Sequence, residues 1–326
     1  MTDSRKLVSL VVPVYYEEQV INEFYRRCKA SLAPLEQTCR FEFVFVDDGS
    51  QDRSLVLLQN LLEHDSSIRI VSFSRNFGHQ MAISAGIEHA AGDALVIIDS
   101  DLQDPPEVIP AMIDKWNEGF HVVYGVRETR QGESFMKLFT AKAFYRILNA
   151  LSDIDIPHDT GDFRLIDRRV ADILLHLPER NRFIRGLIPW IGFRQCGVTY
   201  HRDSRYAGET KFSFRKMFAF AFDGIASFSD KPLLLAFRLG ILFSLLAFAL
   251  GVWLIVNKFL YPADTIFGWT SLVVVILFVG GVQLASIGML GLYIGKIFRE
   301  VKQRPLYIAA QRFGFPPSSA PESDRQ

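Results

Sequence analysis

Cysteine is scarce in this chain of 326 residues, and the three present, Cys28, Cys39 and Cys196, show no pairing or metal-ligand spacing. A disulfide framework and a zinc site are both excluded as expectations, and a reducing compartment fits. Net charge is lacking as well: 36 Lys and Arg balance 36 Asp and Glu. No basic excess is left to hold a polyanion, and no nucleic-acid partner is expected. No fixed-period repeat is visible. The opening MTDSRKLVSLVVPV has only a short, β-branched apolar stretch, followed by proline and acidic residues, so it does not read as a signal peptide.

The absence that excludes most is local. From Leu239 to Val256, and again from Ile266 to Gly295, there is no Asp, Glu, Lys or Arg. About 20 mostly apolar residues suffice for a helix to cross a bilayer. Both runs read as transmembrane helices, about 233–257 and 267–295, once Leu233 to Phe237 extends the first and Arg238 snorkels to the head groups. Arg215, Lys216 and Lys231 precede the first span, and Lys296, Arg299, Lys302 and Arg304 follow the second, whereas the loop between holds only Lys258 and Asp264. By the positive-inside rule the expectation is a multi-pass protein of the inner, cytoplasmic membrane, with the first 230 residues and both termini in the cytoplasm.

What is present before the spans is a series of short aliphatic runs: Leu7 to Val14, Phe41 to Val46, Arg69 to Phe73, Ala94 to Ile98 and Val122 to Val126. Their near-continuous hydrophobicity suits strands covered on both faces, and Glu17 to Leu32, Asp52 to Glu63 and His79 to Ala91 have the length and spacing of crossover helices. The expectation is an α/β fold with a parallel sheet. Ligands in such sheets sit at the carboxyl ends of the strands. Three of those ends are polar: PVYYEE, DDGSQD and DSDLQD.

The stretch IIDSDLQDPPE concentrates four carboxylates that would repel without positive partners. Asp104-Pro105-Pro106-Glu107 has the form of a capping box, with Asp as N-cap, proline at the first helical position and Glu three residues on. Asp99 and Asp101 have no such local partner. Carboxylates two apart at a strand end can offer oxygens to a hard divalent cation that also takes substrate phosphates.

These residues resemble family 2 glycosyltransferases of the GT-A fold (Rossmann-like), which use a nucleotide sugar and a divalent metal. VVPVYYEE, VDDGSQD and DSDLQDPPE are similar to the three nucleotide-site motifs of that family. RNFGHQMAISAGIEHAAGD, GDFRLIDR, RYAGETKF and GLYIGKIFREVKQRPLY further resemble polyprenyl-phosphate glycosyltransferases, particularly bactoprenol glucosyltransferases, over about Leu7 to Ile308. The resemblance implies that Pro13, Tyr15, Glu17, Asp47, Asp48, Asp99 and Ser100 bind the nucleotide sugar, with Asp48 facing the uracil and Asp47 its alternative. It implies Asp101 and Asp99 as ligands of Mg²⁺ or Mn²⁺, and Asp101 and Asp162 as catalytic. Tyr16 departs from the family, which usually has Asn there.

A lipid phosphate attacking an anomeric carbon is itself an anion, so Arg127, Arg205 and Lys211 are candidates to hold it. The implied reaction is inverting transfer of a hexose, glucose from UDP-glucose, to undecaprenyl or another polyprenyl phosphate; the alternatives are transfer of another sugar (mannose, GlcNAc or an aminoarabinose type) to the same lipid, and a catalytically silent membrane partner of a flippase. Asp162 is expected to orient substrate, because a phosphate monoester is already largely dianionic at neutral pH. Phe214, Phe218, Phe222 and Ile225, and the segment Phe135 to Leu148, have the composition of interfacial helices. The expected division is a catalytic domain over 1–212, a juxtamembrane amphipathic helix over 213–232, two spans with a basic flank over 233–308, and a flexible tail over 309–326. A homo-oligomer, a flippase and a downstream glycosyltransferase are further possible partners, with Gly280, Gly281, Ala285 and Gly288 permitting close helix contacts.

Overall fold

The computed structural model describes residues 5–127, 160–180, 182–201, 231–260 and 269–316. They divide into two units, one of Met1–Lys142, Ile154–Phe212 and Arg304–Gln326, the other of Ala143–Asp153 and Ser213–Gln303. Arg205 and Lys211, the Phe214 to Ile225 stripe and the Phe135 to Leu148 segment lie outside the described residues.

In the first unit the aliphatic runs become strands β1 (Lys6–Val14), β2 (Cys39–Asp47), β3 (Ile68–Phe73), β4 (Ala94–Ile97) and β5 (Val122–Arg127). Three further strands, β6 (Thr160–Asp167), β7 (Gln195–Tyr200) and β8 (Ala309–Phe313), complete an eight-stranded sheet of order β7-β5-β6-β4-β1-β2-β3-β8. β1 runs parallel to β2 and β4, and β2 to β3, as expected. The expectation of a parallel sheet is otherwise corrected: β6 lies antiparallel between β4 and β5, and β8 antiparallel to β3. β6 escapes the hydrophobic pattern because its TGDFRLID places Asp162 and Arg164 inside the protein, where each is about 5% exposed or less.

Helices α1 (Ile21–Leu32), α2 (Ser54–His64) and α3 (His79–His89) make the crossovers. α1 buries Ile21, Phe24, Cys28 and Leu32, the three-to-four spacing of one helical face. α3 packs closest: a Cβ on Gly86 would lie 2.2 Å from Val11 Cγ1, so only glycine lets this helix sit directly on β1. α4 (Ile109–Asn117), α5 (Arg168–His176) and α6 (Ile184–Ile191) follow. The polar interior is satisfied rather than avoided. Buried Glu42 accepts hydrogen bonds from Ser9 Oγ (2.5 Å) and the Ala91 amide (2.6 Å), tying β1, β2 and the end of α3 together.

The tail expected to be flexible from residue 309 instead opens with β8. An exposed strand edge is a template for pairing, and β8 fills the edge of β3 with the register Ile70 to Phe313. Tyr307 guides it there, stacking on Phe73 at 4.8 Å and donating its hydroxyl hydrogen to Glu88 (2.8 Å). The five residues AAQRF carry no information in themselves about such a long-range partner.

The second unit contains α7 (Lys231–Leu260), which holds the first uncharged run, and α8 (Trp269–Val301), which holds the second from Trp269 on. Phe278–Val301 is long and apolar enough to cross a membrane by length and composition, while the apolar stretch Phe237–Leu250 of α7 is shorter. Large apolar side chains on both helices, such as Phe248 and Leu284, are exposed.

Candidate active site

The carboxyl ends of β1, β2 and β4 are neighbours, so the three polar loops meet at one edge of the sheet. After β1, Pro13 is buried and its carbonyl accepts from Ser100 Oγ (3.2 Å), which joins the first motif to the third. Tyr15 and Tyr16 are each 40% exposed and meet edge to face at 4.6 Å. Tyr16 has φ of 57°, a left-handed conformation uncommon for a residue with a bulky side chain. Its amide donates to Ser50 Oγ (3.1 Å), and that of Glu17 to Ser54 Oγ (3.0 Å).

After β2 the paired acids separate in role. Asp47 is buried and accepts from the Ser50 amide (3.1 Å) and Ser72 Oγ (2.9 Å), stabilising its own turn. Asp48, also buried, accepts from the amides of Phe77 (2.6 Å) and Gly78 (3.0 Å). Burial raises its pKa from the ordinary carboxylate value, against the pull of those two amides. Asp48 therefore pins the RNFGHQ loop at the start of α3.

After β4, Asp99 and Asp101 reach the site while Ser100 and Leu102 anchor the loop from below. Leu102 has φ of 57° and is 2% exposed, its side chain in the hydrophobic core. Strain of this kind persists only where the surroundings over-determine it. Asp101 Oδ1 accepts from the Gln103 amide (3.1 Å), and Asp99 Oδ1 contacts His79 Nε2 (2.8 Å).

Asp162 lies on β6 and is paired by Arg185 of α6 in a two-pronged contact, Nε to Oδ1 at 2.7 Å and Nη2 to Oδ2 at 2.8 Å. Burial disfavours its charge, but Arg185, with His79 and Arg164 nearby, holds its pKa well below the carboxylate range. An ionised carboxylate engaged in this way is a weak proton acceptor and a firm anchor. His79 Nδ1 lies 3.7 Å from Asp162 Oδ2, and Gln80 Nε2 donates to the same oxygen (3.5 Å). Burial lowers the pKa of His79, and the facing Asp99 and Asp162 outweigh that and raise it to about 9. Sequence reasoning assigned no role to His79, Gln80 or Arg185; the first two entered only within RNFGHQMAISAGIEHAAGD as a point of resemblance.

The capping-box reading of Asp104 and Glu107 is not what folds. A 3₁₀ turn at Pro106–Val108 precedes α4; its N-cap is Pro105, with no side-chain cap hydrogen bond. Asp104 is 2% exposed and accepts from the hydroxyl of Tyr200 on β7, with Arg127 Nη2 at 3.6 Å. Glu107 forms a two-pronged pair with Arg27 of α1 (2.9 and 2.7 Å). The spacing matched a local motif, but cations from distant strands and helices offered stronger partners. Arg127, a candidate for the lipid phosphate, is thus placed beside Asp104 at the end of β5.

For a metal, the donor set at this edge is the two carboxylates of Asp99 and Asp101; no group of three or more His, Cys, Asp or Glu suited to a metal occurs among the described residues. Two oxygen ligands suit a hard cation that keeps waters and takes substrate phosphates, and do not suit a closed structural site.

The model of glycosyl transferase family 2 matches residues 9–174, which contain most of β1, all of β2 to β6 and every carboxylate just described. The chain belongs to glycosyl transferase family 2. This glycosyltransferase is 50% identical over 306 residues to the glycosyltransferase YkcC of Bacillus subtilis (strain 168), covering 94% of each chain. It is 42% identical over 303 residues to the SfII prophage-derived bactoprenol glucosyl transferase of Shigella flexneri, covering 92% of this chain and 96% of that one. Among solved structures, glucosyl-3-phosphoglycerate synthase from Mycobacterium tuberculosis, in complex with Mn²⁺, UDP and phosphoglyceric acid, overlays with a TM-score of 0.45 at 18% identity, covering 68% of this chain and 76% of that one. The enzyme's α/β sheet is GT-A-like, and its polar edge lies at the carboxyl ends of the strands, where ligands bind in open α/β sheets.

Proposed function

We propose that this enzyme transfers a hexose, glucose from UDP-glucose, to undecaprenyl or another polyprenyl phosphate, forming a lipid-linked sugar for the cell envelope. The observation that carries the reading is the 42% identity, along nearly the whole chain, to proteins named bactoprenol glucosyl transferase. Pro13, Tyr15, Glu17, Asp48 and Ser100 would form the nucleotide side of the site, with Asp47 supporting their turn. Asp99 and Asp101 would hold Mg²⁺ or Mn²⁺, which as a Lewis acid neutralises charge on a departing nucleoside diphosphate.

The acceptor phosphate has a second pKa of about 6 and needs little help to lose its proton at pH 7. Asp162, held ionised by Arg185, is accordingly assigned to orienting substrate rather than to taking a proton. Arg127, Arg205 and Lys211 would draw the acceptor phosphate toward the donor. One displacement at the anomeric carbon inverts its configuration. α7 and α8 would each span the cytoplasmic membrane, with the sheet and both termini on the cytoplasmic side, next to the lipid acceptor and a flippase that exports the product.

The test uses the purified full chain with undecaprenyl phosphate, UDP-glucose and Mn²⁺ or Mg²⁺. Formation of β-linked glucosyl lipid is expected, and Asp101→Ala should reduce it at least about 100-fold, in keeping with loss of a transition-state charge partner. Consumption of a different nucleotide sugar in its place would redirect the substrate assignment, and turnover without any divalent ion would remove the metal from it.

A further inference from the structure

Among the described residues, His79 is the side chain that contacts carboxylates on both sides of the site, Asp99 and Asp162. Its seat is fixed before it reaches either. Gly78, at φ of 104°, caps α3, and Asp48 holds the Phe77 and Gly78 amides at 2.6 and 3.0 Å. Next along the helix, Gln80 accepts the Ile184 amide hydrogen on Oε1 (3.0 Å) and donates to Asp162, so α3 is also fastened to α6, which carries Arg185. From this seat the imidazole places Nε2 2.8 Å from Asp99 Oδ1 and Nδ1 3.7 Å from Asp162 Oδ2. A rigid ring with two distinct nitrogens can serve two carboxylates at once, one from each edge of the ring.

We propose that His79 is a positioning residue for sugar transfer: it ties Asp99, at the end of β4, to Asp162, on β6, and so sets the spacing between the nucleotide side and the acceptor side of the site. The inference rests on the transfer reaction proposed above. It gives the RNFGHQ run a function that its place as a helix start does not explain. The loop after β2 then acts at a distance, because Asp48 determines where His79 stands. Outer partners of metal-donor carboxylates commonly alter affinity or turnover by about 10- to 100-fold when removed.

The experiment compares full-length wild type, His79→Gln, His79→Asn and His79→Ala in detergent. Two measurements are made: affinity for UDP in the presence of Mn²⁺ by calorimetry, and kcat and KM for glucosyl transfer to undecaprenyl phosphate. A Gln amide stands near the Nε2 position and an Asn amide near Nδ1. His79→Gln is expected to keep Mn²⁺-dependent UDP affinity within about threefold while kcat falls about tenfold or more, and His79→Asn to lose affinity by a larger factor than kcat. His79→Ala should lose both. If His79→Ala retains both within about twofold, or if Gln, Asn and Ala lower affinity and kcat equally with a common drop in Tm, His79 is only a helix-start residue and the proposal falls. If wild type transfers no glucose, the reaction assigned above fails, while the calorimetric comparison of Gln with Asn still decides the role of His79.

Discussion

At the residue scale the governing fact is that each carboxylate of IIDSDLQDPPE finds its own positive neighbour or donor. Asp99 meets His79, Asp101 a backbone amide, Asp104 the Tyr200 hydroxyl and Arg127, and Glu107 Arg27. The run is legible in sequence as chemistry but not as pairing, because every cation involved is remote in the chain. Arg27 is 80 residues from Glu107. A capping box and a buried ion pair make opposite predictions for Asp104→Ser. Serine caps a helix as well as aspartate does, whereas removing one partner of a buried pair leaves a stranded charge at a cost of about 3–5 kcal/mol. Because Arg127 is still 28% exposed, the lower end of that range is expected, about 3 kcal/mol. Denaturant unfolding of the sheet unit should show it, and a change below about 0.5 kcal/mol would return Asp104 to the capping role.

At the scale of elements, the strands that sequence reveals are those buried on both faces. β1 to β5 are aliphatic runs and were readable within a residue or two. β6 was readable only as the motif GDFRLIDR, since its inward Asp162 and Arg164 break the hydrophobic pattern; Arg164 leans on the Gly161 carbonyl of the same strand, but Asp162 depends on Arg185, which is not visible in the strand itself. β8 depends on an open edge created by β3. α3 is the element whose position matters most for the site, since its first residues are His79 and Gln80, and its seat on β1 depends on Gly86. Gly86→Ala should push a methyl group into Val11, whose branched side chain has little rotamer freedom to yield. Overpacking of this kind costs about 1–3 kcal/mol. The expected result is a lower Tm together with a fall in kcat, as the N-terminus of α3 shifts relative to Asp99. A variant with unchanged Tm and kcat would mean that α3 is not wedged at this point.

At the scale of the whole molecule, the sequence divides more plainly than any single site does. A chain with zero net charge places its charge unevenly, leaving Leu239 to Val256 and Ile266 to Gly295 bare. The first run lies in α7 and the second, from Trp269 on, in α8, with apolar side chains exposed, an arrangement that water penalises and lipid does not. The chain then returns after α8 to supply β8 to the same sheet that begins at β1, so β1 and β8 belong to one folded unit. A strand cannot join a sheet across a bilayer. Under the membrane placement proposed above, the two segments on either side of the α7–α8 pair face the same compartment, a condition that two crossings meet and a single crossing does not. With the native cysteines replaced, a cysteine at Asp264 in intact cells should react with a membrane-impermeant maleimide once the outer membrane, where there is one, is permeabilised. A cysteine at Glu118, on the sheet unit, should react only after the inner membrane is opened. Labelling of both positions from the same side would place α7 and α8 on the membrane rather than through it.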